Sequence, residues 1–207
     1  MKNTRTTRRI LASSAAALVA LCLLPAAADA QQFWDVNGAA AGFGGTGNWD
    51  LVTTNWNNAT GTAAPVVWAN TATSDAVFQG VAGVVIQPGP SLTVRNMTFN
   101  VTGYDLNNNA GNVLTLAPGA TITVTNAGDT AGITSFLAGV SGLTKAGPGT
   151  LQFNGGGTNA YTGTTRVNDG AVNLNKFLVN QTIPGALTIG DNTGAAGSAS
   201  VKLLTAN

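Results

Sequence analysis

Short runs in which apolar and polar residues alternate dominate the chain beyond residue 83. They lie at 92–94, 97–101, 113–116, 122–124, 151–153, 172–174, 187–189 and 201–203. Such alternation is the periodicity of a β-strand, whose successive side chains point to opposite sides. The intervals are filled mainly by Gly and Asn, which tolerate the positive φ of tight corners. The pattern predicts an all-β chain built from short strands.

Three architectures accommodate short strands separated by frequent turns: a β-sandwich, a β-barrel and a β-solenoid. The Asn-Gly pairs that mark two-residue hairpins occur only at Asn37-Gly38 and Asn154-Gly155, which is few for an antiparallel fold. The strands are also short for an up-and-down barrel. Residues 142–174 look like one module whose pieces form successive strands. A β-solenoid is therefore favoured, with a sandwich as the alternative.

The first thirty residues predict a signal peptide. Lys2 and three arginines form a basic start, an apolar run follows from Ile10 to Leu24, and Ala28-Asp29-Ala30 has the small-x-small pattern of a cleavage site. The apolar run is too short to span a membrane, which takes about 20 residues. We predict that the mature chain begins at Gln31. Arg8-Arg9 leaves open whether export uses the Sec or the twin-arginine route.

Residues 31–83 differ in amino-acid composition from the rest of the chain and contain all four tryptophans: Trp34, Trp49, Trp56 and Trp68. A stack of strands leaves an open end of its core, and bulky residues can close it. We interpret 31–83 as a cap-like segment and 84–207 as the solenoid. Because Trp and Asn are also frequent in sugar-binding sites, glycan binding is the alternative role for this segment.

The net charge and the residue types of the chain restrict the functions that it can have. Beyond Ala30, five basic residues remain of nine and seven acidic residues of eight, so the net charge is −2, and neither His, Cys nor Glu is present. This composition predicts no nucleic-acid partner, no cysteine or histidine metal site and no Ser-His-Asp catalysis. We predict no catalytic, cofactor-binding or metal-binding residues. The seven aspartates are isolated and are interpreted as turn residues: Asp35, Asp50, Asp75, Asp105, Asp129, Asp169 and Asp191. The stretch 190–194 is likewise interpreted as a turn and not as a Ca²⁺ loop.

One segment carries a family pattern. Gly142-Leu143-Thr144-Lys145-Ala146-Gly147-Pro148-Gly149-Thr150-Leu151 is followed by Asn159-Ala160-Tyr161-Thr162-Gly163-Thr164-Thr165 and by Val167-Asn168-Asp169-Gly170-Ala171-Val172. With its flank to residue 176, this stretch resembles the autotransporter-associated β-strand repeat, also called the passenger-associated transport repeat, of bacteria. The resemblance implies a right-handed, single-stranded parallel β-helix, a cell-surface or extracellular location, and a passenger role without chemistry.

A solenoid would place certain side chains of this repeat inside. We predict inward positions for Leu143, Leu151, Phe153, Val167, Val172 and Leu174, and outward positions for Lys145 and Arg166. Gly147, Gly149, Gly163 and Gly170 would mark the corners. Tyr161 is interpreted as packing within a loop, with a ligand contact as the alternative.

These observations predict an exported structural protein, a stalk or adhesion scaffold on the cell surface, with no enzymatic activity. The alternative is a carbohydrate-binding or carbohydrate-active extracellular protein. Partners are not identified by the sequence; glycans and other surface proteins are the candidates. The final apolar run, 201–204, has no evident cap after it. We therefore expect a solenoid that is incomplete at its C-terminus, belongs to a longer protein, and self-associates through the open last rung.

Overall fold

The structure is a computed structural model, and it describes residues 30–38, 40–109, 111–177, 182–192 and 196–204. The predicted signal peptide lies outside these ranges except for Ala30. Within them the chain forms strands and no helix, and hence no helix that could cross a membrane. The strands are β1 (Ala30–Trp34), β2 (Gly47–Asn48), β3 (Trp56–Asn57), β4 (Ser74–Phe78), β5 (Val84–Gln87), β6 (Leu92–Val94), β7 (Met97–Phe99), β8 (Asp105–Asn108), β9 (Val113–Leu116), β10 (Thr121–Val124), β11 (Thr130–Ile133), β12 (Phe136–Gly139), β13 (Leu143–Ala146), β14 (Thr150–Gly155), β15 (Ala160–Tyr161), β16 (Thr165–Val167), β17 (Gly170–Lys176), β18 (Leu187–Ile189) and β19 (Ala199–Leu203).

The strands stack into three sheets that the chain visits in rotation. One sheet has eight strands in the order β18-β16-β13-β10-β7-β4-β1-β3, and a second has seven in the order β19-β17-β14-β11-β8-β5-β2. The third has four, in the order β15-β12-β9-β6. From β4 to β17 the chain passes repeatedly through the eight-, seven- and four-stranded sheets, and each passage is one turn of a coil.

Strand pairing is parallel and in register from turn to turn. In the seven-stranded sheet, for example, Leu151 pairs with Ala131 on one side and with Val172 on the other. Among the named strands only β3 runs antiparallel to its neighbour, β1. The prediction of an all-β parallel β-solenoid is thereby confirmed, and the sandwich alternative is wrong. The solenoid has about five turns.

The core is a single column of inward side chains that runs through the turns. Each inward residue stacks on the residue at the same position in the next turn, so the mainly apolar surfaces join from turn to turn. Five of the six side chains predicted to point inward are buried, and the sixth, Leu174, is half-buried against the same core. The alternation in the sequence therefore identified the core positions of the repeat correctly.

One predicted orientation is wrong. Lys145 is fully buried, although we expected this charged side chain to point outward. Inward residues alternate along β13, so Lys145 shares the inner side with Leu143, while Thr144 lies between them on the outer side. The alternation along the strand thus decides the orientation of Lys145, and not the preference of a lysine for water. The inward position is tolerated because it offers hydrogen-bond acceptors to the ammonium group. Arg166 is exposed, as predicted.

The glycines of the repeat stand where the backbone turns or where two turns of the coil touch. Gly170 has a φ of 70°, and a Cβ there would collide with the carbonyl oxygen of Gly149. Gly163 has an ordinary φ, but a Cβ there would strike the backbone nitrogen of Gly142 in the previous turn. Both positions therefore accept only glycine. At Gly170 both the positive φ and the close contact exclude a side chain, and at Gly163 the close contact alone does so.

Candidate functional site

The aspartates hold turns and strands together. Asp50 Oδ1 accepts hydrogen bonds from the backbone N–H groups of Val52 at 2.9 Å and Thr53 at 2.6 Å, which is an Asx turn. Burial acts to raise the pKa of Asp50, but these hydrogen bonds outweigh it and lower the pKa. Asp75 instead forms a bidentate pair with Arg95, with Nε–Oδ1 at 2.9 Å and Nη2–Oδ2 at 2.6 Å. The turn role predicted for Asp50 is therefore observed, whereas Asp75 braces a neighbouring turn of the coil.

Asp105 is the aspartate with a raised pKa. Its two carboxylate oxygens each accept a hydrogen bond from Thr134 Oγ1 at 3.1 Å. Burial raises the pKa of Asp105, and hydrogen bonds from Thr134 and Asn154 partly offset that rise. A raised carboxyl pKa can mark a general acid. Here the carboxylate lies on the outer side of β8 and accepts hydrogen bonds from Thr134 and Asn154, which belong to later turns of the coil. These hydrogen bonds link neighbouring strands of the sheet.

The described ranges contain no group of three or more His, Cys, Asp or Glu side chains that could hold a metal ion. Within the stretch 190–194, Asn192 has a φ of 63° and Gly190 one of 85°. Such values belong to a tight turn. The remainder of that stretch, 193–194, lies outside the described residues.

The four tryptophans form one buried cluster. Trp56 lies at its centre, with ring centroids 4.5 Å from Trp68, 5.1 Å from Trp49 and 5.2 Å from Trp34. None of the four is more than 2% exposed. A sugar stacks on an aromatic face that solvent can reach, and these faces are covered by one another and by Phe78. The feature that suggested glycan binding is therefore part of the core.

Tyr161 is also part of the core. Its side chain is fully buried, and its hydroxyl lies 2.7 Å from Thr165 Oγ1. Burial raises the pKa of Tyr161 to about 12, and the hydrogen bond to Thr165 lowers it slightly in return. The neutral phenol thus packs inside the corner of the repeat, as the packing interpretation predicted, and has no free face for a ligand.

Lys145 and Lys176 are both buried, and the sequence pattern alone does not predict this for either of them. Lys145 Nζ donates to the backbone carbonyl oxygens of Ala146 at 2.8 Å, Gly147 at 2.6 Å and Asp169 at 3.1 Å. Lys176 Nζ is buried without a hydrogen-bond partner in the described chain and lies 5.9 Å from the ring centroid of Phe136. Burial lowers the pKa of each lysine to about 8, and the charge of Asp169 opposes that shift at Lys145.

The outer sides of the sheets carry ordered rows of polar residues. On the eight-stranded sheet, Thr121, Thr144, Arg166 and Thr188 follow one another in register, and we call them the threonine row. Arg166 and Thr188 are exposed. On the seven-stranded sheet, Asn154 Oδ1 accepts from Gln152 at 2.8 Å and from Asn175 at 3.0 Å. The amides of that sheet therefore bond one another, whereas the threonine row presents its exposed members to solvent.

The last described turn exposes several large apolar side chains. Leu203 is 67% exposed, Ile189 50% and Leu187 42%. These strands are the edges of their sheets, because β18 ends the eight-stranded sheet and β19 the seven-stranded one. Beside them lies a half-open cavity of about 260 Å³, lined by Leu174, Lys176, Thr182, Ile183, Gly185, Leu187 and Leu203. Apolar side chains of this turn are therefore exposed among the described residues.

Comparisons with known proteins agree with this architecture. The Passenger-associated-transport-repeat family matches residues 143–174. The "Adhesin BmaC autotransporter" of Brucella suis biovar 1 (strain 1330) is 37% identical over 186 residues, which is 89% of this chain and 5% of that protein. The chain thus spans about one twentieth of the length of this relative. No solved structure matches the chain.

The family match coincides with the turn that contains the buried Lys145 and Tyr161, and it ends at Leu174, within β17. The resemblance and the exported, outer-surface location expected from the sequence are both confirmed by these matches. The chain thus carries a passenger-associated transport repeat at 143–174 and is similar along most of its length to a part of an autotransporter adhesin.

Proposed function

We propose that this chain is a rigid, non-catalytic segment of a surface passenger, which spaces or presents an adhesive face away from the cell. The observation that carries the proposal is the unbroken stack of parallel strands around one core. Such a stack grows by about 4.8 Å per turn and keeps every turn in a defined orientation. In a protein of this form, each added turn increases the distance between the cell and the far end of the chain.

The adhesive part of the proposal draws on the relative, whose name describes it as an adhesin. The threonine row is the face that we assign to contact. It is ordered by the register of four strands and carries the exposed Arg166 between Thr144 and Thr188. Interfaces are enriched in Arg, which combines a charge with several hydrogen-bond donors. The amides of the seven-stranded sheet suit this role less, because they already bond one another.

The absence of catalysis is supported by the places of the ionisable groups. Asp50 is engaged with backbone N–H groups, Asp75 with Arg95 and Asp105 with Thr134, and the two buried lysines are enclosed in the core. The fold itself hosts diverse functions, so the proposal depends on these sites and not on the fold.

A direct test uses beads coated with the purified chain on cultured epithelial cells. We expect the beads to bind, and we expect Arg166→Glu combined with Thr188→Glu to reduce binding by at least about tenfold, the loss that follows from about 1.4 kcal/mol. Lys202→Glu is the matched control, because Lys202 is also exposed but lies on the seven-stranded sheet.

The outcomes separate the two parts of the proposal. Equal binding by the double variant and the control would show that the threonine row is not the contact face. No binding by the wild-type chain would leave a spacer without adhesion. Antibodies against the chain that fail to label intact bacteria expressing the natural gene would contradict surface presentation altogether.

A further inference from the structure

Lys145 occupies a place in the core where an apolar side chain would ordinarily stand. It pairs in register with Ile122 in the turn before and with Val167 in the turn after, and both of these are buried core residues. Lysine is almost never fully buried unless it is paired. Its ammonium has three N–H donors and no acceptor, so a buried position must supply oxygen atoms.

Three carbonyl oxygens supply them, and they come from two different turns. Ala146 is the last residue of β13, and Gly147 begins the corner that follows it. Asp169 belongs to the corner that follows β16, one turn later along the coil. Their oxygens lie 2.8, 2.6 and 3.1 Å from Lys145 Nζ. One ammonium therefore satisfies oxygens of both corners at once.

The backbone around the ammonium is shaped for this arrangement. Gly147 has a φ of 75°, in the region that an ordinary residue avoids. Next to Asp169, Gly170 packs so closely on the preceding corner that a Cβ would lie 2.6 Å from the Gly147 oxygen. Glycine at both positions thus lets the two corners approach until they share one donor group.

We propose that the carbonyl oxygens of Ala146, Gly147 and Asp169 form a cation site that bridges two turns of the solenoid, and that Lys145 fills this site with its own ammonium. The ligand class of the site is a primary ammonium, which offers one N–H donor to each oxygen. The hydrogen bonds of its N–H groups, rather than the volume of the side chain, hold the two corners together. This inference is independent of the adhesive role.

Lys176 provides the internal contrast. It too is buried and lies at an inward position, at the end of β17. Its ammonium, however, contacts the ring of Phe136 and has no hydrogen-bond acceptor in the described chain. The two lysines are similarly buried, but among the described residues only Lys145 has oxygen acceptors around its ammonium.

The first experiment compares Lys145→Met with Lys176→Met by thermal unfolding of the full chain at pH 7, followed by circular dichroism. Methionine keeps most of the volume and removes the charge and the donors. We expect Lys145→Met to lower the unfolding midpoint by more than about 5 °C, because it leaves buried carbonyls without their donor. Lys176→Met should leave the midpoint unchanged or raise it, because it removes a buried charge that has no acceptor.

The second experiment restores the ligand from solution. Lys145→Ala leaves space for the missing stem, which propylammonium fills. We expect propylammonium to raise the midpoint of Lys145→Ala in a saturable way, as for any ligand that binds the folded state. Neither 1-propanol, which lacks the charge, nor tetramethylammonium, which lacks N–H donors, should do so. Lys176→Ala is the matched control and should show no gain specific to propylammonium.

A third measurement needs no substitution, which covers the case in which Lys145→Ala does not fold. Hydrogen-bonded ammonium protons exchange slowly with water, so the wild-type chain should show one protected lysine NH₃⁺ resonance by ¹H–¹⁵N NMR that is lost in Lys145→Arg. Two results would overturn the proposal. One is a Lys145 ammonium that exchanges as fast as that of Lys202. The other is a Lys145→Met chain as stable as the wild type.

Discussion

The tryptophan-rich first turns and the last described turn differ in how far the apolar side chains of the core are covered. In the first turns the four indoles pack against one another, none more than 2% exposed, and β3 runs antiparallel along the edge of β1. In the last turn, the edge strands β18 and β19 show Ile189 and Leu203, at least half of each being exposed.

The difference shows what closing a solenoid demands. A regular turn covers the turn before it but exposes the same apolar row on its other side, so repetition alone never finishes the core. Closure requires residues that break the pattern: large rings that fill the column and a strand that runs against the others. The first turns contain such residues and the last described turn does not.

The same substitution should have very different effects at two leucines. We expect Leu151→Asp, in an enclosed turn, to lower the free energy of unfolding by at least about 4 kcal/mol, because it buries a charge without a partner. Leu203→Asp should cost less than about 1 kcal/mol, because that side chain is 67% exposed. Urea unfolding followed by circular dichroism measures both. Similar losses in the two variants would mean that the last turn is enclosed in solution.

The stability of the tryptophan cluster should depend on its central ring. Trp56 contacts the other three tryptophans and Phe78, so we expect Trp56→Ala to cost about 3–5 kcal/mol, as for other large-to-small changes in cores. Val52→Ala, in the same segment but 80% exposed, is the control and should be nearly neutral. A loss below about 1 kcal/mol for Trp56→Ala would show that the cluster does not close the core.

Stability should rise with pH in the alkaline range because of the buried lysines. Burial lowers the pKa of Lys145 and Lys176 to about 8 in the folded chain, against 10.5 as the ordinary value. Between these values the unfolded chain binds more protons, so the free energy of unfolding increases with pH, by up to about 2 kcal/mol per lysine at pH 9.5.

The rise should end near pH 10. There the phenol of Tyr161, whose pKa is raised to about 12 by burial, keeps its proton in the folded chain while the unfolded chain loses it, and stability falls again. We expect Lys176→Met to remove about half of the rise, because the pKa of Lys176 is lowered as far as that of Lys145. Urea midpoints from pH 7 to 11 measure the effect, and a flat profile for the wild type would contradict it.

The smallest expected change in stability accompanies a change in association. The exposed apolar residues of β18 and β19 should drive end-to-end contact between copies of this chain. We expect Ile189→Lys to shift sedimentation profiles toward monomer while changing the free energy of unfolding by less than about 0.5 kcal/mol. Val140→Lys is the control, because Val140 is 83% exposed on another part of the surface. A wild-type chain that remains monomeric at high concentration would contradict this expectation.

The sequence predicts the repeat better than it predicts the exceptions within the repeat. Leu151 and Phe153 were assigned inward correctly because simple alternation and burial agree for apolar residues. Lys145 was assigned outward because residue type outweighed its position in the strand. The available signal was its parity with Leu143, together with Gly147 two residues later, which lets a carbonyl turn toward the ammonium.

The tryptophan-rich segment marks the other limit. Composition alone cannot distinguish an aromatic platform from an aromatic core, since both require Trp. Pairing of β3 with β1 depends on contacts between Trp34 and Trp56, which are distant along the chain and follow no repeat. The location of the exposed threonine row required the register of four strands, and that register comes from the structure.

The direction of the hydrogen bonds between turns has a mechanical consequence. They run from strand to neighbouring strand, along the axis of the coil, so a pull on the two ends of a surface-anchored molecule acts on them in line. Each turn is held mainly by its neighbours, and tension would therefore detach turns one after another. Such a fibre would lengthen in small steps under flow and absorb mechanical work before its attachment failed.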